Sequence, residues 1–383
     1  MPTVSGTRAA LAAAALLLCA YAASAAASKP RYTDAWSGLP RDTASRAMPL
    51  NLHAADAFDP EKDPWVEKVG ERPQVYYFHN FLSDAERQHI IKVAAPQMRR
   101  STVVGPNGAS VVDPIRTSFG TFISRRHDPV IEGIERRISL FTHLPVSHQE
   151  DIQVLRYTEG QKYGAHYDSS YDKREINGPK FRLATFYMYL SDVEEGGETA
   201  FPKDSQWADP AMGAAADASF SECAKGNVAA KPKANDAALF YSYFPNGTMD
   251  EASMHTGCPV VKGIKWGAPV WIHVDEFRPE EMRGPARPTA APRDPGVCAD
   301  HSASCKTWAA SGECAKNVGF MTETCGKACG VCEDCGPSDW DCVNRNRDRQ
   351  HYLQIDRGEM RWLGVDVFDA LATVSASEPS PEL

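Results

Sequence analysis

The cysteines are distributed unevenly along the chain, and their clustering most narrows the folds that it can adopt. Of the eleven cysteines, eight fall between Cys298 and Cys342, and six of those lie between Cys298 and Cys332. A segment this short buries too little apolar surface to fold without disulfides or a metal. A zinc site is disfavoured, because no histidine ligands follow in a regular spacing and the secretory pathway expected for this chain is oxidising. The cluster therefore predicts a small disulfide-rich module that follows a larger domain.

The N-terminal residues predict the compartment. Arg8 precedes an apolar run from Ala9 to Ala27, and Ala23-Ser24-Ala25 has the small residues of a signal-peptide cleavage site. Residues 1–27 are predicted to be a signal peptide or a signal anchor, because about 17–25 apolar residues can span a bilayer. The small residues near the end of this run favour cleavage of a signal peptide. In either case the rest of the chain is expected in the secretory pathway, in the endoplasmic reticulum (ER) lumen, at the ER or Golgi membrane, or outside the cell.

The remaining chain divides by composition. Polar residues rich in Pro and Asp come first, then a main domain of mixed composition, a segment rich in Pro and Arg, the cysteine cluster and a polar end. These shifts predict domain boundaries. The predicted parts are a stalk or linker at 28–72, the main domain at 73–278, a linker at 279–297, the disulfide-rich module at 298–332 and a C-terminal tail at 333–383.

Local signals in the main domain predict helices first and strands later. Ser83 with Glu86 three residues on is a capping box, and Asp128-Pro129 is typical of a helix N-cap and first helical position. After about residue 150 the apolar segments are short, rich in branched and aromatic residues and bounded by turn formers, which predicts an antiparallel sandwich or jelly roll and an α+β fold class. Predicted strands are 75–78, 151–157, 181–190, 237–244 and 270–274, with an insertion loop at 203–235.

A His-x-Asp pair, His166 and Asp168, lies within the segment from Arg156 to Ser170. In an extended strand, alternate side chains project from the same face, so both can point at one metal ion. With a second histidine they would form the facial triad of non-haem Fe(II) oxygenases, which leaves coordination positions open. His255 is the leading candidate for the third ligand, and Lys265 follows it after ten residues.

This pattern resembles the prolyl 4-hydroxylase branch of the Fe(II)/2-oxoglutarate dioxygenases over about residues 74–276. The resemblance implies that the main domain is a catalytic double-stranded β-helix with iron at its open end. It implies Fe(II), 2-oxoglutarate, dioxygen and L-ascorbate as cofactors and cosubstrates, and 4-hydroxylation of peptidyl proline with succinate and CO₂ as coproducts. It is carried by the triad with Tyr157, Tyr163, Gly196-Gly197-Glu198-Thr199-x-Phe201-Pro202 and His255-x-Gly257-Cys258-Pro259-x6-Trp266.

The resemblance implies a role for each matching residue around the iron. His166, Asp168 and His255 would be the metal ligands, and an aspartate rather than a small residue at the carboxylate position favours hydroxylation over halogenation. The far carboxylate of 2-oxoglutarate needs a cation, and Lys265 offers a compact charge on a flexible stem. The hydroxyls that would assist Lys265 belong to Tyr157 and Thr199.

The resemblance also implies where a peptide would lie. Tyr163 and Trp271 match positions that support catalysis. An extended Pro-rich peptide offers ring faces on which aromatic side chains stack and carbonyls that arginine can bind. The substrate is therefore expected to be a proline-rich or collagen-like peptide. The further residues implied to face it are Arg116, Ser118, Glu150, Arg182 and His273.

The cysteine cluster resembles the ShK-like toxin domain through its spacing, Cys298-x6-Cys305-x8-Cys314-x10-Cys325-x3-Cys329-x2-Cys332. Six cysteines allow many connectivities. The toxin blocks channels with a Lys-Tyr pair, whereas residues 315–324 here include a lysine but no tyrosine, which favours a stapled adaptor. A chain ending near Arg293 is expected to keep hydroxylating short peptides. The family pattern implies the pairs Cys298–Cys332, Cys305–Cys325 and Cys314–Cys329.

Charge and a sequon complete the prediction. A net charge of -9 argues against a nucleic-acid partner, which would need a basic surface. Asn246-Gly247-Thr248 is an acceptor sequence for N-glycosylation in a predicted turn. Two other functions are compatible with the chain: oxygenation of another residue or a small molecule, and a secreted ShK-type binding protein with a degenerate oxygenase domain. The intact triad and Lys265 oppose degeneracy.

Overall fold

The computed structural model describes residues 59–101, 118–169, 181–283, 294–336 and 338–366, together with the backbone of five short strands elsewhere. The predicted signal segment 1–27, Arg116 and most of the predicted linker lie outside the described residues, as does the end of the tail. No helix within the described ranges is both long and apolar enough to span a bilayer.

Strands dominate the main domain and helices the C-terminal part. The helices are α1 (Asp84–Ala94), α2 (Pro129–Thr142), α3 (Pro210–Ala216), α4 (Cys305–Ala310), α5 (Glu313–Lys316), α6 (Val318–Thr324), α7 (Trp340–Arg349) and α8 (Arg357–Trp362). The strands are β1 (Arg31–Thr33), β2 (Pro40–Asp42), β3 (Met48–Pro49), β4 (Trp65–Arg72), β5 (Val75–His79), β6 (Arg99–Arg100), β7 (Val103–Val104), β8 (Ser110–Val111), β9 (Phe119–Ile123), β10 (Ile152–Tyr157), β11 (Tyr163–His166), β12 (Arg182–Tyr189), β13 (Glu195–Gly196), β14 (Thr199–Phe201), β15 (Gln206–Trp207), β16 (Val228–Ala230), β17 (Ala237–Tyr241), β18 (His255–Gly257), β19 (Val260–Lys262) and β20 (Lys265–His273).

Two antiparallel sheets form most of the domain, and β13 and β19 form a further two-stranded sheet. The large sheet has the order β15-β4-β5-β17-β12-β20-β10-β9-β6, with β3 beside β4, and the small sheet has the order β11-β18-β14-β16. Helices α1 and α2 pack on one face of the large sheet around an apolar core that includes Ile90, Ile134 and Phe186. A second core joins the two sheets, with Tyr77 and Phe240 from the large one against Phe201 and Ala229 from the small one. The predicted α+β jelly roll is confirmed.

The local helix signals are also confirmed. Ser83 caps α1 with its side chain while Glu86 bonds back to the cap, and Asp128 accepts the first backbone N–H groups of α2. The predicted insertion loop at 203–235 was wrong in part. It contains α3 and β16, because alanines such as Ala216 and Ala229 are small enough to pack in the core between the sheets.

The predicted stalk also ends earlier than expected, because β4 belongs to the large sheet. Trp65, Val66 and Val69 are buried along its length. Glu67 is buried as well, and its carboxylate lies 3.1 Å from Nε2 of His79 on the neighbouring strand. A buried carboxylate with a hydrogen-bonding partner is tolerated in a core. The charged residues of this segment therefore do not mark a solvated linker.

The C-terminal tail is part of the catalytic core, which corrects the predicted separate tail. Helix α7 carries Arg347, whose fully buried guanidinium donates to Asp294 and to the backbone carbonyls of Ala95 and Pro96. Helix α8 packs on the face of the large sheet that α1 and α2 also cover. The tail residues that belong to the core cluster are Leu353, Ile355, Met360, Leu363 and Val365.

The ShK-like module is placed between the main domain and this last core segment. Its own buried cluster is small and consists of Cys305, Met321 and Cys325 with partly buried neighbours. An exposed ion pair between Arg99 and Glu323, with Nη1 and Oε1 2.7 Å apart, joins the module to the main domain. The module's disulfides are Cys298–Cys332, Cys305–Cys325 and Cys314–Cys329, the pairs that the resemblance implies, and Cys335–Cys342 follows them.

Candidate active site

The His-x-Asp pair and the second histidine meet where β11 and β18 pair. His166 and His255 are direct partners in the antiparallel register, and Asp168 follows β11 by two residues. One donor atom of each side chain lies within 4.8 Å of the others. Nε2 of His166 lies 3.4 Å from Asp168, and Nε2 of His255 lies 3.5 Å from its other carboxylate oxygen.

Both imidazoles are oriented by a backbone carbonyl two residues earlier. Nδ1 of His166 lies 2.8 Å from the carbonyl of Gly164, and Nδ1 of His255 lies 3.0 Å from that of Ser253. A carbonyl can only accept, so each Nδ1 must carry the proton. In a neutral ring with this tautomer, Nε2 has a lone pair that faces Asp168, as metal ligation requires.

The charge states of the cluster suit a divalent cation. Burial lowers the pKa of His255 to about 4, so its imidazole is neutral near pH 7. Burial by itself would raise the pKa of Asp168, but His255 and His166 outweigh it and hold that pKa below its ordinary value. Thr185 donates to the Asp168 carboxylate at 2.5 Å and fixes its rotamer. Two neutral imidazoles and one carboxylate are the donor set of a facial Fe(II) site.

Lys265 lies in the same pocket at the start of β20. Its side chain is 3 % exposed, and Nζ donates to the carbonyl of Gly197 at 2.6 Å. Burial lowers the pKa of Lys265 to about 7, against the opposing influence of Glu198. No described carboxylate forms an ion pair with this ammonium. An anionic ligand in the pocket would therefore be stabilised by a cation that is already desolvated.

The residues around Lys265 form an aromatic pocket floor. Tyr157 is its direct partner across β10 and β20, and the rings of Tyr157, Tyr187 and Tyr189 have centroids 5.1–5.9 Å from Nζ. The hydroxyl of Thr199 accepts from Tyr189 at 3.0 Å. The positive φ of Gly197 explains the glycine pair, since a side chain there would be strained.

A second group of predicted residues meets around Trp271, which lines the pocket. Arg182 donates through Nε and Nη2 to both oxygens of Glu150, at 2.5 and 3.0 Å, and Nε2 of His273 lies 2.8 Å from the same carboxylate. The guanidinium carbon of Arg182 lies 3.8 Å from the ring centroid of Trp271. Trp271 is 8 % exposed, and its indole N–H has no acceptor among the described residues.

The remaining predicted residues do not all lie in the pocket. Tyr163 lines the pocket and stacks on His166 with ring centroids 3.8 Å apart. His273 is 2 % exposed, so it does not face a peptide as the resemblance implied. Ser118 is fully buried and donates to Ser101 at 2.9 Å, so it does not face a peptide either. The backbone of β9 follows it directly, and burial of its hydroxyl against another serine is structural.

Sequence reasoning missed several residues that line this pocket. Thr185 and Tyr187 lie on β12, and Pro269 faces them from β20. Thr185 and Tyr187 are two positions apart on β12, so both side chains project from the same face of the strand. This alternation identifies them as pocket residues once the face of β12 that points to the metal site is known. The other residues missed are Gln153, Leu155 and Gly257.

A disulfide reinforces the ligand strand. Cys258 follows Gly257 at the end of β18 and pairs with Cys223. The sequence left this pairing open. Glu198, fully buried, accepts from the backbone and hydroxyl of Ser221 at 2.8 and 2.7 Å and holds the same loop. The strand that carries His255 is therefore tied to the loop between α3 and β16.

Comparison with known proteins places both modules in families. Residues 152–273 match the 2OG-Fe(II) oxygenase superfamily and residues 297–332 match the ShK domain-like family. The chain is similar to probable prolyl 4-hydroxylase 4 and to prolyl 4-hydroxylase 2 of Arabidopsis thaliana, each 40% identical over 274 residues, which cover 70% of this chain and 88% of the relative.

A solved structure is also similar. The viral collagen prolyl hydroxylase vCPH from Paramecium Bursaria Chlorella virus-1, in its 2OG complex, is 27% identical and covers 52% of this chain and 96% of its own, with a TM-score of 0.37 that is too low to bear on the fold. The family assignment rests instead on the two plant relatives, which are 40% identical over 88% of their own length, and on the superfamily match, which spans the strands that line the pocket. The chain therefore belongs to the prolyl 4-hydroxylase family of 2-oxoglutarate- and Fe(II)-dependent oxygenases.

Proposed function

We propose that the protein hydroxylates peptidyl proline at C4, with Fe(II), 2-oxoglutarate and dioxygen as cofactor and cosubstrates and succinate and CO₂ as coproducts. One observation carries the proposal. The ligand triad His166, Asp168 and His255 lines the same pocket as the buried ammonium of Lys265. A metal site and an anion site in one pocket are what a dioxygenase of this family needs to hold its two reactants together.

The triad fits Fe(II). The lone pairs of His166 and His255 and one oxygen of Asp168 converge, and the backbone carbonyls behind the imidazoles hold the rings in that orientation. Bound iron would supply the activation of dioxygen. The chain's contribution is to keep the His255 imidazole neutral, to fix the carboxylate through Thr185 and to leave the remaining coordination positions facing the pocket.

The cosubstrate would enter with its far carboxylate toward Lys265. A single buried cation, flanked by aromatic rings rather than by a second carboxylate, matches one end of a dicarboxylate. Tyr157, opposite Lys265 across the strand pair, and Thr199 would contribute hydroxyls. Binding in this orientation would direct the keto acid end toward the triad, since both sites line one pocket.

The peptide would lie across the side of the pocket that Trp271 lines. Glu150 pairs with Arg182 and contacts the buried His273, so Arg182 and Trp271 present planar surfaces and donors with little net charge. Nη1 of Arg182 and the indole N–H of Trp271 lack described acceptors and could bind peptide carbonyls. Tyr163, stacked on His166, would contact the reacting ring. A neutral, extended, proline-rich or collagen-like segment suits such a surface.

We extend the proposal to the compartment. The five disulfides of the described residues favour an oxidising lumen, which is compatible with ER residence, with ER or Golgi membrane attachment through an N-terminal anchor, or with secretion. Asn246 is exposed in a turn where Thr248 donates to its side chain, so the sequon is accessible for glycosylation. L-Ascorbate would serve as the reductant that keeps iron in the ferrous state.

The substrate class is tested by coupling succinate release to peptide. Purified protein with Fe(II), 2-oxoglutarate and ascorbate is incubated with poly-proline, collagen-like and extensin-like peptides, and the products are analysed by mass spectrometry. We expect a mass increase of one oxygen on proline and a matching amount of succinate. Succinate release that no proline peptide stimulates, together with activity on another residue or a small molecule, would contradict the proposal.

Lys265→Ala is expected to raise the Michaelis constant for 2-oxoglutarate strongly. Loss of one partner of a buried charge pair typically costs about 3–5 kcal/mol, because the other charge stays uncompensated. At about 1.4 kcal/mol per tenfold, the constant should rise by roughly a hundredfold or more. Lys265→Arg should recover only part of the loss, because the planar guanidinium approaches a carboxylate differently. Iron content should stay normal.

Lys262→Ala is the matched control, since Lys262 is an exposed lysine three residues earlier that pairs with Glu194 on the surface. Its Michaelis constant for 2-oxoglutarate should equal that of the unchanged protein. A normal constant in Lys265→Ala would mean that another cation binds the far carboxylate.

A further inference from the structure

The C-terminal helix α8 sends one carboxylate to two strands of the catalytic sheet. Glu359 accepts from Arg156 in a two-point pair, with Nε and Nη2 at 2.7 and 2.5 Å from its two oxygens. The same carboxylate accepts the indole N–H of Trp266 at 2.7 Å. Glu359 is 7 % exposed and Trp266 is fully buried. Charge-assisted, two-point pairs of this kind fix geometry more tightly than single hydrogen bonds.

Arg156 and Trp266, the two residues that Glu359 binds, are partners in the large sheet. Arg156 on β10 lies directly opposite Trp266 on β20, and the next pair in the register is Tyr157 opposite Lys265. Successive side chains of a strand point to opposite faces. Trp266 accordingly packs in the core with α1 and α2, whereas Tyr157 and Lys265 line the pocket. Glu359 therefore contacts, from behind, the residues next in sequence to the two that face the proposed cosubstrate.

The helix that carries this carboxylate is anchored at both ends. Asp356 caps α8 by accepting the backbone N–H of Glu359 at 2.6 Å. On the far side, Arg87 of α1 donates to the carbonyls of Leu363 and Leu190, which links the end of α8 to the end of β12. Met360, next to Glu359, is buried in the main core. The helix is thus anchored on both sides of the pair that Glu359 joins.

We propose that Glu359 is a positioning residue for the 2-oxoglutarate pocket, and that the segment after the ShK-like module sets cosubstrate affinity through it. The inference rests on the proposed function, because it assumes that Lys265 and Tyr157 bind the far carboxylate. Glu359 does not touch that ligand. It fixes the separation and twist of β10 and β20 at the register pair beside Lys265, and a small displacement of a binding group weakens an ionic contact markedly.

The test compares Glu359→Gln with the unchanged protein. The substitution keeps the side-chain volume, removes the charge and weakens the two-point pair. We expect the dissociation constant of 2-oxoglutarate, measured by calorimetry on the metal-loaded protein without peptide, to rise roughly tenfold, as is typical when a partner that orients a site residue is lost. The Michaelis constant should rise in parallel while kcat and iron content stay unchanged. Arg156→Lys, which keeps the charge but loses the fork, should give the same pattern.

Met360→Ala distinguishes a positioning role of Glu359 from a general loosening of α8 on the large sheet. It removes core packing from the same helix and should lower the melting temperature without a change in 2-oxoglutarate affinity. An equal loss of affinity in Met360→Ala, or unchanged affinity in both Glu359→Gln and Arg156→Lys, would overturn the positioning role. If the unchanged protein itself bound no 2-oxoglutarate, the proposed function would fail instead, so the two failures are distinguishable.

Discussion

Substitution of His255 by alanine is expected to abolish proline hydroxylation while the protein stays folded. His255 supplies one of three converging donors, and the other two cannot hold a divalent cation in an open facial geometry by themselves. Changes to residues that only orient metal ligands already cost about 10–100-fold in affinity or activity. Removal of a ligand should cost more, and His166→Ala and Asp168→Ala should behave alike.

The measurements are iron content after desalting, peptide-dependent succinate release and the melting temperature. His89→Ala is a suitable control, because His89 is a half-exposed histidine on α1 that pairs with Asp128 outside the pocket. It should keep full iron content and activity. Wild-type turnover in a folded His255→Ala protein would remove His255 from the metal site and leave the facial triad without its third member.

A chain that ends at Arg293 is expected not to fold to an active enzyme. The truncation removes five apolar side chains that lie between 353 and 365 in the core cluster. Full burial of each contributes about 1.5–3 kcal/mol, roughly 8–15 kcal/mol in all. That sum equals the whole stability of an ordinary domain, about 5–15 kcal/mol. Loss of Arg347 also leaves the carbonyls of Ala95 and Pro96 without their buried donor.

The matched control ends at Asp366, which keeps every C-terminal contact described above. It should show the melting temperature and activity of the full chain, whereas the shorter chain should be insoluble or should unfold well below it. Circular dichroism melts and succinate release are the measurements. A chain ending at Arg293 with a normal melting temperature would show that α7 and α8 are dispensable, and would restore the independent tail that the sequence suggested.

The catalytic constellation was readable from the sequence because its signals are local or have a fixed spacing. The capping residues Ser83 and Asp128 lie within three positions of the groups that they bond. His166 and Asp168 are two positions apart, although Asp168 lies just beyond the end of β11 rather than in the predicted strand. The approximate position of Lys265 followed from the resemblance to a family. In each case the physical constraint acts between residues that are close in sequence or joined by one strand pairing.

The structural role of the C-terminal segment could not be read in this way. Glu359 lies about two hundred residues from Arg156, and nothing in the few residues around either of them predicts the pair. The core positions from Leu353 to Val365 are too few and too irregular for a helical or strand period to stand out. Strand β4 was missed for a related reason, since Glu67 appears solvated until its partner His79 is known.

The placement of the ShK-like module between β20 and α7 has a consequence for biosynthesis. Chains fold as they are synthesised, and an N-terminal domain ordinarily completes its structure before the next one emerges. Here the oxygenase sheet must wait, with the surface around Trp266 uncovered, until the module and the segment that contains Glu359 have been translated. The module's cysteines are thus translated before the segment that covers this surface, so a chain interrupted within the module would leave the oxygenase core around Trp266 without its cover.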